Sequence, residues 1–279
     1  MCALVDTPFP SHRLNLYTAS PEIAWDTTIL GGVFDPETGS VRDGFTEEIE
    51  DAVLTPGRTE RSFPRGPLTA GPADASVSDD GTVLDAAVPL GASLNGERVV
   101  LLGYDGDVEL RRDGQRLDAV SGIDPAEGFG LALDGAGRHT LAVAGSREPL
   151  SGPFAFKSAI DWSFDLDPAA DRELVLPAVA VTAPDVVAGL TPNREQRITL
   201  HLVSGSGEPV AAADMGFEVS YDYGFTWTPV ELDLDPAAGT ATAELHHPAD
   251  ATHVSVRTTA TDTAGTETSQ TTIHAYGLS

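Results

Sequence analysis

The sequence predicts an all-β protein of tandem antiparallel β-sandwiches, the C-terminal one immunoglobulin- or fibronectin-like. Apolar and polar residues alternate in short runs, and Gly, Pro, Asp or Asn bounds each run. About seven such runs fall within roughly the last 100 residues, which is the strand density of such a sandwich. A period of two is typical of strands, and the boundary residues are those that tight turns need. No repeat of fixed period is visible, so solenoids and propellers are not expected.

The N-terminal half contains a hairpin signal and one strongly amphipathic run. Residues 108–117 (VELRRDGQRL) place Asp113 and Gly114 between two alternating segments, which predicts a type I′ turn. Residues 159–164 (AIDWSF) place Ile160, Trp162 and Phe164 on one face, and that face is expected to be buried. With the neighbouring runs, these segments predict a first sandwich across residues 76–166.

An acidic stretch that contains proline divides the chain. The alternation stops in residues 165–171 (DLDPAAD) and resumes afterwards. We therefore place the domain boundary there. The N-terminal region is 1–172, with an irregular opening segment to about Pro72, and the C-terminal sandwich is 173–279.

The charge balance excludes several classes of partner. The 279 residues contain 43 Asp plus Glu against 16 Lys plus Arg, a formal net charge of -27, which repels nucleic acid and anionic membranes. No run reaches the 18 apolar residues of a membrane helix, so no membrane span is expected. Residues 1–10 lack the basic and apolar regions of a signal peptide. Either the protein is cytoplasmic, or the numbering begins inside a longer secreted chain.

Few residues suggest a cofactor. Cys2 is the single cysteine, so neither an internal disulfide nor a cysteine-based zinc site is expected. His246 and His247 have His253 and His274 nearby in sequence, which invites a metal site. Adjacent residues of a strand point to opposite faces, so His246 and His247 are not expected to share one ion, and we predict a surface or hairpin-edge role. Calcium is an alternative at three acidic loops that lack EF-hand spacing. These loops are residues 79–81 (DDG), 105–107 (DGD) and 233–235 (DLD).

The most specific local signal is the Asp-box pattern S-x-D-x-G-x-T-W in residues 220–227 (SYDYGFTW). In this pattern Asp222 is expected to accept hydrogen bonds from backbone amides, and Gly224 to adopt an unusual backbone dihedral. Trp227 is expected to lie under the loop. The predicted role of these three residues is a structural brace for a hairpin.

Two tyrosines flank the Asp-box aspartate and are the best candidates for exposed aromatic residues. Flat rings stack on sugar faces, and the chain contains only three Trp and five Tyr in all. Tyr221, Asp222 and Tyr223 are therefore the predicted contacts with a carbohydrate or another surface. A second turn near the C-terminus uses Asp262 and Gly265 within residues 260–265 (ATDTAG), where the Asp side chain and Gly are expected to close the turn.

These signals together resemble a known family. With LHHPAD at 245–250 between them, residues 217–278 resemble the extreme C-terminus of large secreted actinobacterial subtilisin-like serine proteases; Thr266 departs from the Asn usual there. Weaker similarities lie at 13–25, 55–67, 110–117 and 151–164. The resemblance implies an extracellular, non-catalytic β-sandwich region that stabilises, positions or tethers the protease domain.

Catalytic residues of that family are not expected in this chain. The subtilisin signatures around the catalytic Ser, His and Asp are absent, as is a G-x-S-x-G elbow. Residues 138–145 (RHTLAVAG) are superficially similar to the histidine signature, but their alternation predicts a strand. We therefore predict no enzymatic activity. An independent carbohydrate- or cell-surface-binding module is the alternative, and a hydrolase with an unrecognised site is the third hypothesis.

Overall fold

The computed structural model describes residues 24–34, 41–53, 66–93, 98–147, 157–187 and 189–279. Cys2 and the family-like segments within 13–23, 54–65 and 151–156 lie outside the described residues. In the described ranges the regular elements are β-strands and one 3-10 turn, Pro125–Glu127, which confirms the predicted all-β fold. No helix in these ranges is long and apolar enough to cross a membrane.

Short strands follow one another along the chain. In chain order they are β1 (Ala24–Phe34), β2 (Val41–Val53), β3 (Ala73–Val77), β4 (Val83–Ala87), β5 (Ala92–Ser93), β6 (Arg98–Leu102), β7 (Asp105–Arg112), β8 (Gln115–Ile123), β9 (Phe129–Ala132), β10 (Gly137–Ser146), β11 (Lys157–Leu166), β12 (Glu173–Leu176), β13 (Ala178–Thr182), β14 (Leu190–Thr191), β15 (Glu195–Val203), β16 (Ala212–Ser220), β17 (Thr228–Pro229), β18 (Asp233–Asp235), β19 (Thr240–His246), β20 (His253–Asp262) and β21 (Glu267–Leu278).

One nine-stranded sheet runs through both halves of the protein. Its order is β17-β16-β20-β21-β11-β10-β7-β8, and β14 pairs in parallel with β21. Three four-stranded sheets accompany it in the described ranges: β12-β3-β4-β9, β13-β15-β19-β18 and β1-β2-β6-β5. All their pairings are antiparallel, which suits strands joined by short turns.

Two apolar cores lie on the nine-stranded sheet. The first combines residues of β7, β10 and β11 with residues of the sheet β12-β3-β4-β9, as in Leu110, Trp162 and Leu84. The second combines β16, β20 and β21 with the sheet β13-β15-β19-β18, as in Phe217 and Leu200. Each core is therefore the interior of a sandwich, and the two sandwiches share one layer.

The strand patterns predicted from the sequence are confirmed in the first sandwich. The side chains of Ile160, Trp162 and Phe164 are all buried on one face of β11. Strands β7 and β8 form the predicted hairpin, and Asp113 and Gly114 both have positive φ, at 48° and 80°, as a type I′ turn requires.

The two sandwiches are joined by hydrogen-bonded pairing between β11 and β21. Seven residue pairs connect these strands, from Lys157 opposite Ile273 to Ser163 opposite Glu267. The pairing joins residues more than 100 positions apart, so the C-terminal strand belongs to both halves of the sheet. Ordinary interfaces between domains lack such a continuous ladder and permit relative motion.

Buried hydrogen bonds hold the segment around Pro177 and Val179, which passes from the first core to the second. The indole Nε1 of Trp162 donates a hydrogen bond to the Pro177 carbonyl at 2.7 Å, and the Thr268 hydroxyl donates to the same oxygen at 3.0 Å. Gln270 accepts from the Val179 amide at 2.6 Å. Because each of these groups is buried, every one of them requires a partner, and the segment is held in one position.

The predicted domain limits, 1–172 and 173–279, stay a prediction. Strand β12 follows the predicted boundary but pairs with β3 in the first sandwich, and the first core extends to Ala178. The opening segment differs from the expected irregular structure, because β1 and β2 form an antiparallel pair there. Glycines and charged residues inside these two strands interrupt the alternation on which the sequence-based prediction depends.

Candidate functional site

The Asp-box loop connects β16 to β17, and the Asp222 carboxylate organises it. Asp222 accepts hydrogen bonds from the Thr226 hydroxyl at 2.6 Å, the Thr226 amide at 2.9 Å and the Ser220 hydroxyl at 2.8 Å. These hydrogen bonds, those from Thr226 first, favour the ionised form and lower the pKa of Asp222 to about 2. The carboxylate is therefore charged at neutral pH and closes the loop on itself.

The loop lies on the outer face of the nine-stranded sheet. Gly224 has φ of +85°, and a Cβ there would lie 2.8 Å from Ile273 Cδ1 and 3.2 Å from Trp227 Cζ2. Both the dihedral and the close approach therefore require glycine. The half-buried Trp227 ring lies 4.2 Å from the guanidinium carbon of Arg257, a cation–π contact. Arg257 in turn donates to Glu218 at 3.1 Å.

Two aromatic side chains project from this braced loop. Five large apolar side chains are exposed in the described part of the chain, and Tyr223 (51%) and Phe225 (87%) are two of them. The Tyr223 ring rests on the imidazole of His253, with 3.9 Å between ring centroids. The loop therefore presents two aromatic side chains two positions apart, and neighbouring groups hold one of these rings in place.

Tyr221 is only partly exposed, and the surface contact predicted for it stays a prediction. Its ring is half-buried beside the second core, and its hydroxyl lies 3.0 Å from Nδ1 of His247. Tyr221 is therefore less exposed than Tyr223, which is 51% exposed. The exposed neighbour of Tyr223 is Phe225, which the sequence analysis missed. The signal for it in the sequence is an apolar residue at the variable position of the Asp-box pattern between Gly224 and Thr226.

His247 is the centre of a buried hydrogen-bond cluster and does not lie at the surface, which was one of the two roles predicted for it beside a hairpin edge. Its Nε2 lies 3.0 Å from Gln196 Oε1 and 3.3 Å from the Tyr276 hydroxyl. Because a carbonyl oxygen only accepts, Nε2 carries the proton and Nδ1 accepts from the Tyr221 hydroxyl. Burial first, and then the charge of Arg194, lowers the pKa of His247 to about 4. The imidazole is neutral at pH 7.

The second histidine pair lies beneath Tyr223. His253 is buried, its Nδ1 lies 3.2 Å from the Thr252 hydroxyl, and its ring centroid is 5.0 Å from that of His274. His274 has a positive φ of 64°, and its amide donates to the Ser255 hydroxyl at 3.0 Å. Burial lowers the pKa of both imidazoles. These neutral rings form the surface against which the Tyr223 ring packs.

Adjacent histidines do point to opposite faces, as predicted. His246 is exposed and lies 3.8 Å from Glu195, whereas His247 is 6% exposed. Within the described ranges, no three His, Cys, Asp or Glu side chains converge in an arrangement that could hold a metal ion. In the acidic loop 79–81, Asp80 accepts hydrogen bonds from the hydroxyls of Ser78 and Thr82. Calcium at the three acidic loops stays a prediction.

The C-terminal turn is built around Asp262. This buried carboxylate accepts hydrogen bonds from the amides of Ala264 and Thr266, each at 2.8 Å. Gly265 has φ of +92° and donates its amide to the Asp262 carbonyl at 3.2 Å. The side chain of Asp262 and the backbone of Gly265 together connect β20 to β21, the strand that joins the two sandwiches.

The segment similar to a catalytic histidine signature lies within a strand. His139 belongs to β10, is fully buried, and its Nδ1 lies 3.0 Å from the Gly137 carbonyl. Its ring is stacked on Phe164 at 6.1 Å between centroids. In this position His139 packs in the first core.

Comparisons with known proteins place the chain in no family. No protein family and no curated protein matches it. Among solved structures, one that resembles it is described as "Biofilm associated protein - BSP domain", with 15% sequence identity and a TM-score of 0.23. The alignment covers 73% of this chain and 29% of that one, so the chain spans less than a third of that protein. A similarity this low supports no statement about function.

Proposed function

We propose that this chain is the non-catalytic accessory region of a secreted subtilisin-like serine protease, where it stabilises, positions or tethers the protease domain. The motifs across residues 217–278 support the assignment to that family. The observation that carries the proposal is the ladder between β11 and β21, which makes two sandwiches into one unit. A rigid unit holds an attached domain at a defined distance and orientation, whereas a flexible linker does not.

The proposal is tested by fusing the full chain to the C-terminus of a subtilisin-like protease domain. We expect the unfolding midpoint of the protease domain to rise by roughly 3 °C and cleavage of an immobilised cell-wall substrate to increase. The control is the same protease domain fused to a Gly/Ser linker of equal length. If both fusions unfold at the same temperature and cleave equally, the accessory role is rejected.

The second candidate function is an independent carbohydrate- or cell-surface-binding module. One observation favours it: the braced loop exposes Tyr223 and Phe225 two positions apart in sequence, and the His253 imidazole packs against the Tyr223 ring. Aromatic rings that are held in place lose little conformational freedom on binding and supply large contact areas. Pyranose rings stack on such surfaces.

A glycan array tests this second function. The wild-type chain is expected to bind at least one glycan, and Tyr223→Ala and Phe225→Ala are each expected to weaken that binding by about tenfold. Tyr221→Phe is the matched control, because it removes only a hydroxyl directed toward His247 and should leave the affinity unchanged. Absence of any glycan bound by the wild type, or equal binding by all variants, would rule the function out.

A further inference from the structure

Two unusual backbone conformations meet beside the Asp-box loop. Within the described ranges three non-glycine residues have positive φ, namely Asp113, Tyr223 at 59° and His274 at 64°. Asp113 belongs to a type I′ turn, which requires that dihedral. Tyr223 and His274 lie on different elements, yet their rings meet edge to face with 6.2 Å between centroids. Positive φ is uncommon outside glycine, so two such residues in contact indicate a place where the fold imposes both positions.

A bulge in β21 brings His274 to this place. The pairing of β20 with β21 shifts at Ser255, where the three residues 273–275 of β21 oppose Ser255 alone. The buried hydroxyl of Ser255 accepts a hydrogen bond from the His274 amide at 3.0 Å, which holds the bulge. Bulges redirect side chains and are common next to functional sites. This one accounts for the position of the His274 imidazole beside His253 and Tyr223.

His253 is the buried member of this cluster of three rings. It is 4% exposed, and its ring centroid lies 3.9 Å from that of Tyr223 and 5.0 Å from that of His274. The Tyr223 ring is itself half exposed, so it forms part of the cover between His253 and water. The buried Nε2 of His253 has no hydrogen-bond partner in the part of the chain that the structure describes. Such a nitrogen is costly to bury, and uncovering the ring would return it to water.

Three titratable groups face the His253 imidazole from the elements packed against it. The Tyr223 phenol and the Asp222 carboxylate belong to the loop, and the His274 imidazole belongs to β21. Burial lowers the pKa of His253, and the attraction of Asp222 offsets this only in part. Burial also lowers the pKa of His274, and the charge of a protonated His253 lowers it further. The closed cluster therefore disfavours a proton on either imidazole.

This preference couples the contact of Tyr223 to pH. An imidazole that is open to water has a pKa of about 6.5, whereas both imidazoles of the closed cluster have lower values. Between these values the open arrangement binds more protons than the closed one. The closed arrangement is therefore fully favoured above about pH 6.5, and each pH unit below that shifts the balance toward the open one by up to about tenfold for one imidazole.

We propose that the Tyr223 ring is an acid-released lid, closed on the neutral imidazoles of His253 and His274 at neutral pH and turned away from them in mildly acidic solution. The loop backbone stays in place, because the Asp222 carboxylate accepts the hydrogen bonds that brace it and remains ionised. Rotation of one side chain is the movement required. The lid goes beyond both proposed functions and depends on neither.

Hydroxyl-radical footprinting of the full chain at pH 7.5 and pH 5, read by mass spectrometry, tests the lid. Oxidation of His253, relative to the exposed His246, is expected to rise at least about fivefold at pH 5. Oxidation of Tyr223 should also rise relative to Phe225, which is 87% exposed already. His139 is fully buried in the first core and should stay protected, because it reports on the integrity of the fold.

Two variants separate the role of the buried imidazole from general effects of acid. His253→Phe keeps an aromatic surface beneath Tyr223 but accepts no proton, so oxidation of Tyr223 should depend far less on pH. His246→Phe is the matched control, since it makes the same change at an exposed histidine outside the cluster and should respond as the wild type does. Thermal unfolding at both pH values establishes that the variants are folded.

Several results would overturn the proposal. One is an unchanged ratio of His253 to His246 oxidation in the wild type at pH 5. Another is a fall in Tyr223 oxidation, which would show that the imidazolium holds the ring more tightly through a cation–π contact. A parallel rise at His139 would show general unfolding, and equal responses of the two folded variants would remove the role of His253. If His253→Phe does not fold, the wild-type ratios decide the question, because His139 distinguishes local opening from unfolding.

Discussion

Replacing Gln270 with alanine is expected to lower the free energy of unfolding by about 3–5 kcal/mol. The side-chain amide of Gln270 is buried where the two cores meet, and its Nε2 donates to the Ala70 carbonyl at 2.8 Å. Its Oε1 accepts from the Val179 amide at 2.6 Å and from the Thr258 hydroxyl at 3.3 Å. Removing the amide takes a hydrogen-bond partner from the Ala70 carbonyl, the Val179 amide and the Thr258 hydroxyl. Each buried group left unsatisfied costs about 1–3 kcal/mol.

Urea unfolding at pH 7 measures this effect. Gln270→Met keeps the volume of the side chain but loses its hydrogen bonds, so it separates hydrogen bonding from cavity formation and is expected to retain most of the loss. Ser269→Ala is the control, because Ser269 is exposed on the opposite face of the same strand, and it should stay within about 0.5 kcal/mol of the wild type. A Gln270→Met variant as stable as Ser269→Ala would contradict the role assigned to these hydrogen bonds.

Lowering the pH from 7 to 4 is expected to destabilise the protein, with about 3 kcal/mol of the loss due to His247. Burial, together with the positive charges of Arg194 and His246, lowers its folded-state pKa to about 4, against about 6.5 in the unfolded chain. Between these values the unfolded state binds more protons than the folded state. The contribution is therefore fully present above pH 6.5 and is lost as the pH falls toward 4.

The structural reason is the tautomer of His247. A second proton would occupy Nδ1, which accepts from the Tyr221 hydroxyl, while Nε2 remains directed at Gln196 and Tyr276. The pKa values of both tyrosines are raised, by burial, so neither hydroxyl ionises to compensate the new charge. The charge would have to be accommodated in a buried site where these three hydrogen-bond partners are all uncharged.

Urea unfolding at pH 7, 5.5 and 4.5 checks this prediction by comparing the wild type with His247→Gln. The variant is expected to be less stable at pH 7 but to lose stability less steeply on acidification. Other shifted groups, such as His253 and His274, are common to both proteins and cancel in the difference. His246→Gln, at the exposed neighbouring position, removes only the smallest of the three causes of the shift, so its slope should lie much closer to that of the wild type than to that of His247→Gln. Parallel curves for wild type and His247→Gln would contradict the assignment.

Local features of the fold were predictable because their signals are local. The type I′ turn at Asp113 and Gly114 follows from two residues that tolerate positive φ between alternating runs. The buried face of β11 follows from period two in Ile160, Trp162 and Phe164. The hydrogen bonds of Asp222 within its loop likewise connect residues only two to four positions apart.

The candidate site was only partly predictable. The sequence predicted Tyr223 as an exposed aromatic residue, but it predicted the same exposure for Tyr221 and a surface or hairpin-edge position for His247. His247 is buried, and Tyr221 is half-buried beside the second core with its hydroxyl 3.0 Å from His247 Nδ1, whereas Tyr223 has a positive φ of 59° and an exposed ring. An alternating pattern does not reveal which way side chains point once a strand gives way to a loop.

The sequence by itself determined the all-β class, the positions of several turns, the excess of acidic charge and the alternation that separates inward from outward residues. Only the tertiary structure decided that β21 pairs with β11, that Gln270 joins the two cores, and that His247 is buried. The physical reason is that side-chain alternation defines the two faces of a strand but not its neighbours. Neighbouring strands are joined by backbone hydrogen bonds, which every residue type except proline can donate, so the alternation does not identify the partner strand.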